Sequence, residues 1–363
     1  MNSTRSLVGL LLILSCAPTA SEAGLVGSRV ETVALTGGLG ETVDRLARGG
    51  SGPLWAVWSV PMIPGRHHAC CGDWDDRGRE SLCKLESHNR SHFHDTDFGS
   101  VEGGELQILL RLDDDRVDEV RAYTADCRLD AEGVRVIRLE GVGPVESVDY
   151  LSSIVDARGR EERGAARRRG HRAEDRRQTA LSAIAYHAGA AADRALANWS
   201  RPPTDAELRE QVAFWLGAAR GHAALDDLRR MLRDDPSGDV REQAVFGISL
   251  IDHADALATL IDVARNGKQA ELRGTAVFWL SQKAGERAVQ VLHEIVEDDP
   301  DAEMREQAVF AISQLPHGEG VSMLIKLARS NRHREVREQA MFWLGQSDDP
   351  RALDLFEEIL VGD

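Results

Sequence analysis

The stretch VREQAVF, residues 240–246, decides the fold because it recurs several times along the chain with few substitutions. Its copies start 32 residues apart, at Leu208, Val240, Leu272, Met304 and Val336. A fainter copy starts a further 32 residues upstream, at Arg176. Units of one constant length without insertions are typical of repeat arrays. The spacing therefore predicts six stacked units over residues 176–363.

Each unit contains two amphipathic helical patterns. In one unit the first helix places Val240, Ala244 and Ile248 on one face, and the second helix reads ALATLIDVA. Asp-Pro pairs such as Asp235-Pro236 predict an N-cap and a first-turn proline at a helix start. Because short helices cannot bury their apolar faces alone, stacked pairs share one core. We predict an all-α C-terminal solenoid of six two-helix units.

The pattern resembles the short HEAT-like repeats of the phycobilisome-lyase type. The last unit shows it in EVREQAMFWLG, an acidic-apolar-Arg helix ending in Leu-Gly, followed by the Leu-rich helix ALDLFEEIL. The resemblance covers residues 176–363 and is specific for the architecture. It implies a bacterial-type binding scaffold, because such repeats occur mostly in scaffolds, and it says little about activity. The signatures of tetratricopeptide and ankyrin repeats, which have similar periods, are absent from the sequence.

The repeated polar letters of the first helix are predicted to hold neighbouring units together. At about 100° per residue, the Arg and the Gln fall on the two flanks of the helix, where units meet. The acidic residue before each copy can pair with a neighbouring Arg. The predicted structural ladder comprises Arg209, Arg241, Arg273, Arg305 and Arg337 on one flank and Gln211, Gln243, Gln307 and Gln339 on the other.

An aromatic column follows these polar letters. Every copy contains a phenylalanine, and the next residues alternate between large and small, running Trp215, Gly247, Trp279, Ala311 and Trp343. We predict that Trp279 packs against the backbone at Gly247 or Ala311, so that a larger residue at position 247 overpacks the core. The alternative is an aromatic strip that faces solvent and binds a ligand.

Function is expected on residues that the units do not repeat. The net charge of −16 disfavours nucleic acid and anionic membranes as partners, which leaves a protein partner. The second helices are expected to line the concave side of the array. Their candidate partner-binding residues are Asp226, Arg230, Asp262, Glu294, Lys326 and Glu358. No catalytic residue, cofactor or small-molecule substrate is predicted, since the repeated His-Glu pairs of deoxyhypusine hydroxylase-like arrays are absent.

The N-terminal residues predict export. Arg5 precedes an apolar run over residues 7–14, and Ser21-Glu22-Ala23 fits a cleavage site, so residues 1–23 are interpreted as a signal peptide. The run is too short to span a bilayer. Because the residues ending at Cys16 resemble a lipobox, a lipoprotein anchored through Cys16 is the alternative. The protein is expected in the periplasm or outside the cell, with membrane contact only through that anchor.

Between the signal peptide and the array, the sequence predicts a small α+β domain. Residues 24–52 are interpreted as a Gly-rich lead-in segment. Within residues 53–157, LWAVWSV, VRVIRLEGV and a hairpin around Asp113-Asp114-Asp115 predict strands, and PVESVDYLSSIV predicts a helix. The Arg-rich residues 158–175 are interpreted as a solvated linker to the solenoid at 176–363.

The remaining cysteines, Cys70, Cys71, Cys83 and Cys127, are even in number, which predicts disulfides in an exported chain. Because a bond between neighbours is strained, Cys70 and Cys71 are expected to pair with Cys83 and Cys127, in either order. The same loop, residues 66–97, also carries His67, His68, His88, His92 and His94. These side chains support the alternative function, a metal-binding or redox envelope protein. Their spacing fits no standard zinc motif, so no metal is predicted.

Overall fold

The computed structural model describes residues 25–26, 28–49, 52–65, 68–70, 82–86, 92–94, 104–157, 167–283, 285–315 and 318–361. The predicted signal peptide with Cys16, residues 158–166 of the linker, and Cys71, His67 and His88 of the Cys/His loop lie outside these residues. The side chains of His68, His92 and His94 are not described either. The chain divides at Gly143/Pro144 into two compact units.

A five-stranded mixed sheet forms the first unit. Its strand order is β2 (Val30–Ala34), β10 (Arg135–Glu140), β3 (Leu54–Pro61), β7 (Glu105–Asp113) and β8 (Arg116–Thr124). Strand β10 runs parallel to β2 and β3, whereas β3, β7 and β8 are antiparallel. Helix α1 (Leu39–Gly49) packs on β7 and β8. The predicted hairpin joins β7 to β8 through Asp114 and Asp115, whose φ angles of 49° and 60° suit a tight two-residue turn.

Two small sheets and a disulfide complete the first unit. One sheet contains β1 (Leu25–Val26), β9 (Leu129–Asp130) and β5 (Cys83–Lys84), and the other pairs β4 (His68–Cys70) with β6 (His92–His94). A disulfide joins Cys70 to Cys127, with their Cα atoms 5.7 Å apart. Cys83 is disulfide-bonded as well. Of the two pairings left open for Cys70, the structure therefore contains the one with Cys127.

The second unit is entirely helical. Its helices are α2 (Pro144–Val155), α3 (Arg167–Tyr186), α4 (Ala190–Trp199), α5 (Ala206–Trp215), α6 (Leu225–Asp234), α7 (Gly238–Leu250), α8 (Ala254–Asn266), α9 (Ala270–Ser281), α10 (Glu286–Asp298), α11 (Ala302–Ser313), α12 (Glu319–Ser330), α13 (Arg334–Gly345) and α14 (Pro350–Val361). From α3 onward they form six consecutive pairs, and the first helices of successive pairs pack together. The predicted solenoid is confirmed.

The boundary between the units differs from the sequence interpretation. The sequence places α2 in the α+β domain, but α2 packs on α3 and α4 and belongs to the second unit. An amphipathic pattern identifies the buried face of a helix without identifying what covers it. Strand β2 and helix α1 fall in the expected lead-in segment, and α3 begins inside the expected linker.

Gly247 packs tightly against the backbone of the preceding unit. A Cβ atom at Gly247 would lie 2.6 Å from the backbone oxygen of Ala213, and one at Gly217 would collide with the backbone of Gly247 itself. The backbones of α5 and α7 therefore approach too closely for side chains at these positions. Trp279 lies on the ring of Phe246, at a centroid distance of 4.5 Å. The space beside Gly247 is thus occupied by the backbone of Ala213.

Candidate functional site

One phenylalanine in each of the last five first helices lies on the side of its helix away from the core. In α7, Val240, Ala244 and Ile248 are buried, and at about 100° per residue Phe246 lies opposite them. Its counterparts are Phe214, Phe278, Phe310 and Phe342. These rings are only partly buried, and Phe342 is 55% exposed. A row of aromatic side chains therefore faces solvent across the first helices.

Rings of successive units contact one another along this row. Phe214 stacks on Phe246 at 6.0 Å, and Phe278 stacks on Phe310 at 6.4 Å. Phe310 also meets Trp343 at 5.0 Å. The aromatic row comprises Phe214, Trp215, Phe246, Phe278, Trp279, Phe310, Phe342 and Trp343. Because each ring is held by its neighbours, the row is a pre-ordered apolar surface.

Glutamates flank the aromatic row. A glutamate stands four residues before the phenylalanine in four of the units, which places both side chains on the same side of the helix. These glutamates are Glu210, Glu242, Glu306 and Glu338. Burial raises the pKa of Glu210, and the neighbouring charges of Asp239 and Glu207 raise it further. The row is therefore apolar with a negatively charged border.

The repeated arginines reach from one unit to the connection that precedes the next. Arg209 of α5 binds Asp235 through two hydrogen bonds of 2.8 and 2.9 Å, and both side chains are buried. Arg273 pairs with Asp299 in the same way two junctions later. The sequence predicts Asp235 as an N-cap, but the N-cap of α7 is Ser237. The carboxylate of Asp235 is instead the buried partner of an arginine.

Three further members of the ladder make different contacts. Arg241 donates to the amide oxygen of Gln269 at 3.2 Å, Arg305 pairs with Glu335, and Arg337 donates to the backbone oxygen of Asn331 at 2.7 Å. On the other flank, Gln211 donates to Glu174 at 3.5 Å, and Gln307 lies against Gly274 of the preceding unit. Gln243 and Gln339 are half-buried.

Most of the second-helix candidates are engaged with neighbouring residues. Glu294 pairs with Arg265, and Glu358 with Arg329, in each case across two successive second helices. The other contacts are Asp226 with Arg229, Arg230 with Ser200 and Asp227, and Asp262 with Asn266. Lys326 is exposed. Of these contacts, those of Glu294, Glu358 and Arg230 with Ser200 join successive units, whereas those of Asp226 and Asp262 lie within one helix.

A serine and a histidine meet in the interior of the second unit. Ser147 Oγ of α2 and His187 Nε2, at the end of α3, are 3.0 Å apart, and both residues are fully buried. Burial lowers the pKa of His187 to about 4, and the nearby charge of Arg220 acts in the same direction. His187 Nδ1 has no hydrogen-bond partner among the described residues. The pair connects α2 to the end of α3. Because it is closed off from solvent, it is not accessible to a substrate.

We predict that His187 makes the protein acid-sensitive. Its pKa is about 4 in the fold against 6.5 for an ordinary histidine, so the stabilisation is complete above pH 6.5 and is lost as the pH falls toward 4. Between about pH 7.5 and about pH 5, this group alone removes about 2 kcal/mol of unfolding free energy.

Urea unfolding of the full chain at these two pH values measures the loss. We expect the pH dependence to be smaller by that amount in His187→Gln and unchanged in the control His293→Gln, whose ring is only half-buried. Equal pH dependence in the wild type and in His187→Gln would contradict the prediction.

Sequence reasoning did not identify one further cluster. His222, His253 and Asp255 come together at the junction between the pairs α5/α6 and α7/α8. The signal in the sequence is small: a His-x-Asp motif at the start of a second helix, with a histidine in the equivalent connection one unit earlier. The sequence does not show that the two histidines lie close together, because the distance between them depends on how the connections fold.

The three cysteines of the first unit that the structure describes are not free thiols. Cys70, Cys83 and Cys127 are all disulfide-bonded. In the described part of β4 and β6, the backbone register places Cys70 opposite His92. Among the residues that the structure describes, no helix has both the length and the apolar character needed to cross a membrane.

The family model for HEAT repeats matches residues 193–281, 231–313 and 289–363. Residues 193–363 are HEAT repeats. The match begins within α4 and covers all later pairs of this HEAT array, which confirms the resemblance seen in the sequence. No curated protein matches the chain in sequence.

Three solved structures are similar to the chain at low identity. Human deoxyhypusine hydroxylase in complex with glycerol is 19% identical, with 58% of this chain and 77% of that chain covered and a TM-score of 0.30. The complex of CpcE and CpcF of phycocyanin lyase from Nostoc sp. is 20% identical, with 43% and 99% covered and a TM-score of 0.32. The Escherichia coli protein YibA is 14% identical, with 60% and 76% covered and a TM-score of 0.34. Likeness of this degree carries no conclusion about activity.

Proposed function

We propose that the protein is a non-catalytic scaffold whose HEAT array binds a protein partner outside the cytoplasm. The observation that carries the proposal is the aromatic row on the first helices. Soluble proteins rarely leave contiguous apolar surface exposed unless it binds something, and aromatic side chains dominate the energetics of protein interfaces. The row repeats over five units, so it fits an elongated partner better than a small molecule.

The charge of the border indicates the chemistry of the partner. Glu242 is exposed beside the rings, Glu338 is exposed and pairs with Arg334, and the whole chain carries a net charge of −16. Opposite charges at the rim of an interface increase the association rate and suppress wrong partners. We therefore expect a protein segment that presents apolar side chains toward the rings and lysine or arginine toward the glutamates.

The second-helix surface is the competing interface. Its acidic and basic side chains already pair with one another, as Glu294 does with Arg265, so a partner would have to replace those contacts. Exposed ion pairs of this kind contribute only ~0–1 kcal/mol each to stability. A partner could therefore replace them at little cost, but it would gain little binding energy from the new pairs. The aromatic row offers apolar surface that no described side chain covers completely.

The proposed location rests on the N-terminal pattern and on the disulfides. Residues 1–23 have the charge, apolar run and small residues of an export signal. The Cys70–Cys127 bond fits an oxidising compartment such as the periplasm or the cell exterior. Attachment to the membrane through lipidated Cys16 is the alternative form of the same proposal.

We predict that truncating the aromatic row weakens partner binding. Full-length protein is recovered from an envelope fraction, the mass of its N-terminus is read, and the proteins it retains are compared between variants. Phe246→Ala combined with Phe342→Ala is expected to weaken binding at least ~10-fold, because central aromatic residues contribute most of the affinity of an interface. Circular dichroism checks that the array remains folded.

The matched control removes two second-helix candidates, as Asp262→Ala with Lys326→Ala, and is expected to retain the partner. Loss of binding in the control and not in the Phe variant would place the interface on the second helices. An intact N-terminal methionine in the mature chain would contradict export.

A further inference from the structure

Two imidazoles and one carboxylate converge at a single junction of the HEAT array. His222 Nε2 lies 3.2 Å from Asp255 Oδ2, and His253 Nδ1 lies 3.6 Å from the same oxygen. The two imidazole rings stack at a centroid distance of 3.6 Å with an angle of 24° between their planes. All three side chains are exposed, so an ion from solvent reaches them directly.

The spacing of the three donor atoms fits tetrahedral coordination. A zinc ion binds imidazole nitrogen at about 2.0–2.1 Å and carboxylate oxygen at about 2.0–2.2 Å, so two ligand atoms of a tetrahedron lie about 3.4 Å apart. The measured separations of 3.2 and 3.6 Å lie on either side of that value. One ligand atom from each of the three residues lies within 4.8 Å of the other two. Because the imidazole rings stack at 24°, they have to rotate about their side-chain bonds for both lone pairs to meet one ion.

Arg229 contacts Asp255 without engaging its carboxylate. It donates to the carboxylate of Asp226 at 3.1 Å, to Thr259 at 3.0 Å and to the backbone oxygen of Asp255 at 3.2 Å. Among the described contacts, the Asp255 carboxylate oxygen Oδ2 instead faces the two histidines.

Irregular backbone produces the cluster at this junction. Helix α5 does not end in a short loop but continues as a π-helical turn, Leu216–Arg220, and a 3-10 turn, Gly221–Ala224, that carries His222. Such π-turns occur often at functional sites. Counted 32 residues further along the chain, His222 corresponds to Ala254, His253 to Gly285 and Asp255 to Arg287. The next unit thus has none of the three ligands, and the repeat pattern does not explain them.

We propose that His222 Nε2, His253 Nδ1 and Asp255 Oδ2 bind one divalent transition-metal ion of the zinc, nickel or copper class, with water completing its coordination. Imidazole with one carboxylate suits these metals better than magnesium or calcium. In the metal-free geometry, His253 Nδ1 accepts a hydrogen bond from the amide of Asp255 at 3.1 Å, which the ion replaces. The ion joins two successive units and so clamps the second helix pair of the array to the third.

Zinc binding to the full chain tests the proposal. The protein is stripped with a chelator, dialysed against zinc chloride, and its metal content is measured per chain. His222→Ala and His253→Asn are each expected to bind one zinc ion fewer than the wild type. Asparagine at position 253 still caps helix α8, so the second variant retains the helix start. His293→Ala, which removes a histidine outside the cluster, is expected to bind as the wild type does.

A thermal readout separates loss of the site from loss of the fold. Zinc at about 100 times its dissociation constant is expected to raise the melting temperature of the wild type and of His293→Ala, and to leave that of His222→Ala unchanged. The melting temperatures without metal are expected to agree. Equal zinc content in the wild type and in both cluster variants would overturn the proposal, as would a wild type that binds no zinc at micromolar concentration.

Discussion

Asp235→Ala is expected to cost about 3–5 kcal/mol of unfolding free energy, the largest loss of any single change considered for this chain. The carboxylate accepts two hydrogen bonds from Arg209, at 2.8 and 2.9 Å, and both side chains are buried. Removing it leaves a guanidinium in the interior without its counter-charge, and that uncompensated charge dominates the cost. Urea unfolding of the full chain, followed by far-UV circular dichroism, measures the change.

A double variant distinguishes an unpaired charge from a general packing defect. Arg209→Met with Asp235→Leu removes both charges together, and we expect it to recover most of the stability lost in Asp235→Ala. The control is Arg334→Ala, which breaks the fully exposed pair with Glu338 and is expected to leave the unfolding midpoint unchanged. A double variant as unstable as Asp235→Ala would show that the charge is not the cause.

Gly247→Ala is expected to destabilise the array by about 1–3 kcal/mol although it adds a single methyl group. That methyl would lie 2.6 Å from the backbone oxygen of Ala213 and 3.0 Å from a methyl carbon of Leu228. A backbone oxygen within a helix cannot move aside as the end of a flexible side chain can. The two first helices would therefore have to separate at this point.

The matched control lies in the same helix. A Cβ at Gly238, the first residue of α7, has no neighbour closer than 3.7 Å, the end of the Arg241 side chain. Gly238→Ala is therefore expected to be neutral or slightly stabilising, because alanine reduces the freedom of the unfolded chain. The melting temperatures of Gly247→Ala and Gly238→Ala, each compared with that of the wild type, test both expectations. Similar values for both would show that the close approach at Gly247 has no energetic consequence.

The repeated residues made the solenoid predictable from sequence. A constant spacing fixes the number of units, and the helical period identifies which face of each helix is buried. The same period places Arg209 and its counterparts on a flank, where the structure finds them reaching toward the next unit. These features depend only on one helix and on neighbouring units of the same pattern, so the helical period and the repeat spacing are sufficient to predict them.

Features that depend on the fold of a connection or on the identity of a packing partner were not predictable. The period places Gly247 on a flank but does not say whether Trp279 or the backbone of Ala213 lies against it. The pattern of α2 shows an amphipathic helix without showing that it packs on α3. The cluster at His222 forms because a π-turn replaces a loop, and no residue pattern used in the sequence analysis indicates that turn.

One arginine of the structural ladder has a different kind of partner. Arg209, Arg273 and Arg305 each reach a carboxylate at the next unit, whereas Arg241 reaches the neutral amide of Gln269. The third and fourth helix pairs can consequently part without stranding a buried carboxylate. This junction has three helix pairs on either side, and its ladder arginine is the one of these four that holds no carboxylate. Opening it would therefore separate no arginine–carboxylate pair of the ladder.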